Sequence, residues 1–252
     1  MRAKFWGLLL IIKKLKYFLF FSLVCLTILG VESPLFASYE IQNFDNLDKD
    51  LSDLWVDDPA GQTIFLNRVS KRLPNYKKSF KRASEDLDVH WTLIAAISYQ
   101  ESHWDPKAIS QTGVRGMMML TQKTAKEMGI RKRTDPNQSI LGGANYFQKT
   151  LERFPVSIPK TDRIWMALAA YNLGFMNLNK ARQLTIENGR NSESWSDVKE
   201  FLPIHLDRRY ENELFEGQNK GEEALEYVER IRLYYETLSL IEKNKALGLS
   251  KS

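Results

Sequence analysis

Three short stretches hold residue types able to do chemistry: "AAISYQESHW" at 95–104, "TGVRGMMMLT" at 112–121 and "ALAAYNLG" at 167–174. The first is the most pointed. An α-helix advances about 100° per residue. On that spacing Val89, Leu93, Ile94 and Ile97 share an arc of roughly 140°, and Glu101 falls within it. A glutamate placed there faces the core, or a cavity the core opens onto. Pro106 disfavours helical geometry at Asp105, so the carboxyl sits near a helix C-terminus. Desolvation and the negative end of the helix dipole both raise its pKa there. A carboxylic acid that keeps its proton near neutrality is what a general acid in glycoside cleavage must be. The same residue at a frayed end, turned to solvent, has no such role.

The other two stretches read more ambiguously. Gly113 and Gly116 bracket a tight loop, and Gly116 permits close approach of a ligand to backbone. Met118, like most methionines, suits irregular core space. In the third stretch small residues allow close helix packing, while Tyr171 and Asn172 end the helix with polar groups. A buried tyrosine hydroxyl needs a partner, which fits Tyr171 equally well as a core or a site residue. Tyr227, on the apolar side of the last helical segment, carries the same two readings.

Helices must position all of these. Thr121 and Asp135 stand as N-caps, with Pro136 in the first turn after Asp135, and Gly129 and Gly174 as stops. Ile140, Phe147, Leu151 and Phe154 form an apolar stripe. A helix from Thr161 ends at Gly174, and "ESWSDVKEFLP" reads as a short helix ended by Pro203. The segment "GEEALEYVERIRLYYETLSLIEK" places Ala224, Tyr227, Val228, Ile231, Tyr234 and Leu238 on one side. No β-alternation and no internal repeat stand out. The expected fold class is all-α, with residues 62–245 as the folded domain, a polar loop at 203–220 and an acidic spacer over 38–61.

Residues 1–37 stand apart. A basic start is followed by the uncharged run Tyr17–Val31, the layout of a secretory signal; Ala37 offers a cleavage point, and retention as a membrane anchor is the alternative. Export and membrane association through this segment are the expectation. The chain has 36 Lys and Arg against 31 Asp and Glu. Five of those bases and one acid lie in 1–37, leaving 31 against 30. A nucleic-acid partner, which needs clustered positive charge, is therefore not expected, and "KRLPNYKKSFKR" at 71–82 reads as a solvated face. The single cysteine, Cys25, lies in the leader, so no internal disulfide forms. His90, His103 and His205 lack ligand spacing, and neither a metal nor a cofactor is expected.

Taken together and in this order, the motifs resemble the lytic transglycosylase family with the lysozyme-like, goose-type catalytic domain, over roughly residues 75–240. They comprise "ES" at Glu101–Ser102, the glycine-methionine loop Gly116–Met119, "AYN" at Ala170–Asn172 and "YV" at Tyr227–Val228. Within the family, 95–121 is similar to the membrane-bound murein branch F, which shares methionine at position 119 where many members have glutamine. The resemblance implies an enzyme of the cell envelope, exported to the periplasm, that cleaves peptidoglycan between N-acetylmuramic acid and N-acetylglucosamine. It implies Glu101 as acid and then base, oriented by Ser102. It also implies a substrate cleft lined by Gly116, Met118, Met119, Tyr171, Asn172 and Tyr227. The alternatives are a hydrolytic muramidase and a non-catalytic peptidoglycan-binding module on the same fold.

Overall fold

The computed structural model describes residues 47–111, 113–209 and 218–248, the side chains of 204–209 and 218–219 excepted. Residues 1–46, which include Cys25 and the segment expected to act as a signal or anchor, residues 210–217 and the His205 side chain lie outside the described residues. Among the described residues no helix is long and apolar enough to cross a membrane.

The segment Leu54–Ile241 forms one compact unit. The remainder, Met1–Asp53 with Glu242–Ser252, clusters separately; its described parts are a helical run over 47–53 and the tail of the last helix. In chain order the helices are α1 (Pro59–Lys71), a 3-10 turn (Leu73–Asn75), α2 (Lys77–Ala83), α3 (Trp91–Ser102) and α4 (Gln122–Glu127). They continue with α5 (Pro136–Leu151), α6 (Lys160–Leu173), α7 (Phe175–Glu187), α8 (Trp195–Arg209) and α9 (Gln218–Ala246). Among the described residues only isolated bridges, Ile109 with Arg115 and Arg115 with Leu120, break the all-α character.

The caps fall where side-chain chemistry places them. Thr121 accepts from the Thr124 N–H and Asp135 from the Gln138 N–H, satisfying donors that a helix start leaves open. Gly174, at φ 86°, ends α6. Helix α5 is the hub and packs on α2, α3, α4 and α6. Two findings depart from the sequence pattern. Ten of the twelve residues of α3 are buried, so it is apolar all round rather than along one arc, as a central helix must be. Pro203 lies inside α8 rather than ending it. There Gly221 approaches so closely that a Cβ would stand 2.5 Å from the Pro203 Cα.

Trp55, within the acidic stretch before α1, is 3% exposed and belongs to the core. Its Nε1 donates to Thr237 Oγ1 of α9 at 2.9 Å. It opens an aromatic cluster with Phe65, Tyr99, Trp104 and Tyr234, ring centroids 4.6–5.9 Å apart. Each such ring pair adds about 0.5–1.5 kcal/mol beyond the area it buries. The cluster ties α1, the end of α3 and α9 to one another.

Candidate active site

Helix α3 stops abruptly one residue after Glu101. His103 and Trp104 both take left-handed backbone, φ 53° and 58°, a conformation uncommon outside glycine. The His103 N–H closes the helix on the Tyr99 carbonyl at 2.8 Å. Trp104 then turns back under the helix. Its ring is 1% exposed and its Nε1 donates to Ala95 O at 2.9 Å. Two left-handed residues cost on the order of 1–2 kcal/mol each, which burial of one indole offsets at about 3 kcal/mol. The helix therefore ends in a fixed place, with Glu101 in its last turn.

Tyr227 of α9 donates its hydroxyl to Glu101 Oε1 at 2.6 Å. Burial lifts the Glu101 carboxyl from its ordinary 4.5 to about 7, and the Tyr227 hydrogen bond offsets part of the rise. Tyr227 itself is held well above 10, by burial first and then by the Glu101 charge. It remains a hydroxyl donor at every physiological pH. With Oε1 already accepting, the exchangeable proton of the neutral acid resides on Oε2. An acid half-protonated near neutrality is well matched to giving a proton and taking one back.

Tyr171, at the end of α6, donates to Met118 O at 3.3 Å. Its ring meets Tyr146 of α5 edge-on at 5.2 Å. Burial raises its pKa well above 10, with the Glu101 charge adding to the effect. Glu101, Tyr171 and Tyr227 are thus gathered from three helices, with Ile97 and Met118 at 0% exposure among the core residues. Asn172 is exposed beside Tyr171.

The loop after α3 is clamped to it. Ser98 Oγ and Ser102 Oγ both donate to Met117 O, at 3.0 and 2.9 Å, and Ser102 also reaches Ser98 O at 3.1 Å. The Ser102 hydroxyl is thus committed to backbone, and what it fixes directly is the loop. Gly116 has φ 86°, and a Cβ there would meet Arg133 O at 2.1 Å. The next residues, Met117 and Met118, are buried. The Met118 N–H donates to Ser139 Oγ at 3.2 Å. Its side chain lies on Gly143, where a Cβ would come within 2.5 Å of it. Met119, φ 44° and half-buried, is the more accessible methionine at the end of the loop.

Sequence reasoning did not single out Ser98, Ser139, Gly143 or Tyr146. Two signals were present. Ser98 and Ser102 are one turn apart on an otherwise apolar helix, and "GG" at 142–143 interrupts a helix where glycine is costly. Asp105 and Asp135, the other carboxylates near the motifs, are committed to backbone: Asp105 accepts from the Lys107 N–H and Asp135 caps α5. No group of three or more metal-ligating side chains occurs among the described residues.

An all-helical, lysozyme-like body with one half-buried, tyrosine-bonded glutamate defines the class of the domain. Residues 78–193 match the family model described as the transglycosylase SLT domain. The chain is 49% identical to the membrane-bound lytic murein transglycosylase F of Photobacterium profundum over 174 residues, 69% of this chain and 34% of that protein. It is 46% identical to the protein of that name from Aeromonas salmonicida over 198 residues, 79% of this chain and 37% of that one. The chain thus spans little more than a third of the length of these relatives. Its fold is also that of the 70 kDa soluble lytic transglycosylase of Escherichia coli, with a TM-score of 0.51 at 21% identity, covering 84% of this chain and 31% of the other.

Proposed function

We propose that this chain is a lytic transglycosylase that cleaves the glycan strand of peptidoglycan between N-acetylmuramic acid and N-acetylglucosamine. The observation that carries the reading is the Glu101 carboxyl, raised to about 7 by burial and held by Tyr227 through one oxygen. Its Oε2 proton passes to the glycosidic oxygen as the bond to the muramic C1 breaks, assisted by the substrate's own acetamido group. The carboxylate then takes the proton of the muramic C6 hydroxyl while that oxygen bonds C1. The products are a free 4-hydroxyl on the leaving sugar and a 1,6-anhydro ring, with no water consumed. A paired-carboxylate mechanism needs a second acid about 5–9.5 Å away; the backbone commitments of Asp105 and Asp135 support a single-carboxylate route.

Gly116, Met119, Tyr171 and Asn172 would line the cleft, Ser102 would hold the loop edge, and Met118 would support the floor. The relatives named membrane-bound, with the basic-apolar leader at 1–37, support export to the periplasm and work at the cell envelope. The acidic stretch from 38 then leads from the leader to a catalytic domain that begins by Leu54, since Trp55 already belongs to the core of the unit Leu54–Ile241.

Mass spectrometry of products released from purified sacculi tests the reaction. Ends lighter by one water than reducing muramic ends are expected. Reducing ends would move the enzyme to hydrolysis, and absence of cleavage would leave only a binding module.

A further inference from the structure

Outside its leader the chain is close to neutral, yet residues 68–82 hold seven Lys and Arg and no Asp or Glu. Read from sequence alone this is a solvated face, but the fold gives it shape. Ile64, Asn67, Arg68, Lys71 and Arg72, one side of the C-terminal half of α1 and the residue after it, line a groove of about 260 Å³. Among the described residues none of these three cations forms an ion pair. Like charges gathered this way repel one another, and an incoming anion relieves that repulsion.

The groove is joined to the active-site helix. Arg68 Nη1 donates to Tyr99 Oη at 2.9 Å, and Arg72 Nη1 donates to His103 O at 3.0 Å. Both acceptors belong to the last turn and cap of α3, which carries Glu101. Arg230, three residues after Tyr227 on α9 and paired there with Glu226, adds positive charge on the same side. After burial, Arg68, Arg72 and Arg230 are what depress the His103 pKa. The lining combines three cations, one carboxamide and the half-exposed Ile64 (51%). That set suits a short acidic peptide: carboxylates on the cations, a backbone amide on Asn67, an aliphatic side chain on Ile64. A concave groove of this size takes a chain segment better than it takes a flat lipid surface.

We infer that the α1 groove binds the carboxylate-bearing peptide arm of the substrate strand and makes the enzyme prefer peptide-bearing glycan over bare glycan. This rests on the transglycosylase reading above. The groove residues precede position 78 and so lie outside the stretch that matches the family.

The test compares kcat/KM on one preparation of glycan strands with the peptides intact and the same strands stripped by an amidase. Intact strands should be favoured about tenfold at 50 mM NaCl, mostly through KM, and less than about twofold at 0.5 M, where screening is short-ranged. Lys71→Gln with Arg72→Gln should bring the ratio close to one at low salt. Damage to the fold would instead lower both rates and leave the ratio unchanged. Co-sedimentation with intact and stripped sacculi gives the same comparison without turnover. Equal handling of both strands by the wild type, or a preference the double variant keeps, would overturn the inference. So would salt-sensitive binding to phosphatidylglycerol vesicles that the variant loses while strand preference is absent. If neither strand is cleaved yet intact sacculi are bound preferentially, the groove stands and the reaction assignment falls.

Discussion

Replacing Tyr227 with phenylalanine removes one hydroxyl and leaves the ring that packs beside Glu101. The lost bond is 2.6 Å long and ends on a carboxyl oxygen. Hydrogen bonds to ionised groups contribute about 1.5–3 kcal/mol, against about 1 for neutral pairs. The difference favours the carboxylate by roughly 1.4 kcal/mol, about one pKa unit. Without it, Glu101 should move from about 7 to roughly 8, since burial then acts unopposed. The alkaline limb of kcat/KM reports this group in the free enzyme. Measured on soluble glycan strands between pH 5 and 9, that limb should shift up by about one unit in Tyr227→Phe. The maximum rate should fall as well, because Oε1 is no longer held. A limb that stays in place, or moves to lower pH, would refute both the direction of the hydrogen bond and its part in setting the acid.

Glu101→Gln should reduce turnover at least about 10²-fold, the loss expected for one positioned proton transfer. Its stability should move the other way. Glu101 binds its proton more tightly in the folded state, so it exacts no penalty well below pH 4.5, a growing one up to about pH 7, and a constant one above. At about 1.4 kcal/mol per unit, the variant should exceed the wild type by up to about 3 kcal/mol at pH 8 and by little at pH 4; urea unfolding at both pH values measures this. Gly116→Ala places a Cβ 2.1 Å from Arg133 O at a φ of 86°. It should cost on the order of 2–4 kcal/mol, read as a lower urea midpoint. Gly143→Val, which drives into Met118, should cost about 1–3 kcal/mol and lower activity beyond what the loss of folded protein explains, because Met118 O holds Tyr171.

Most helix boundaries were legible because they rest on local chemistry. Thr121, Asp135 and Gly174 cap their helices through atoms a few residues away, and the α9 stripe of Ala224, Tyr227, Val228, Ile231 and Leu238 is buried as its period implies. Glu101 was legible because a carboxylate on an apolar face is costly wherever it occurs. Its α3 arc, however, understated the burial, since periodicity marks one apolar face and says nothing of a helix enclosed on all sides. Pro203 misled for a related reason. The rule that ends helices at proline is a local penalty, and in α8 packing against Gly221 accompanies its continuation. Least legible were contacts between distant residues. Nothing near Ser98 announces Met117 O, and Trp55 reads as part of a polar stretch until Thr237 comes to meet its indole.

The Tyr227 hydroxyl reaches Glu101 across 126 positions of chain, and this gives the acid a birth order. During synthesis α3 and its glutamate emerge long before α9 does. Until that last helix docks, the carboxyl has no phenol to hold it. The nascent chain therefore carries its glutamate before the partner that holds it. The site is completed in one late step, when α9 brings Tyr227 to the last turn of α3.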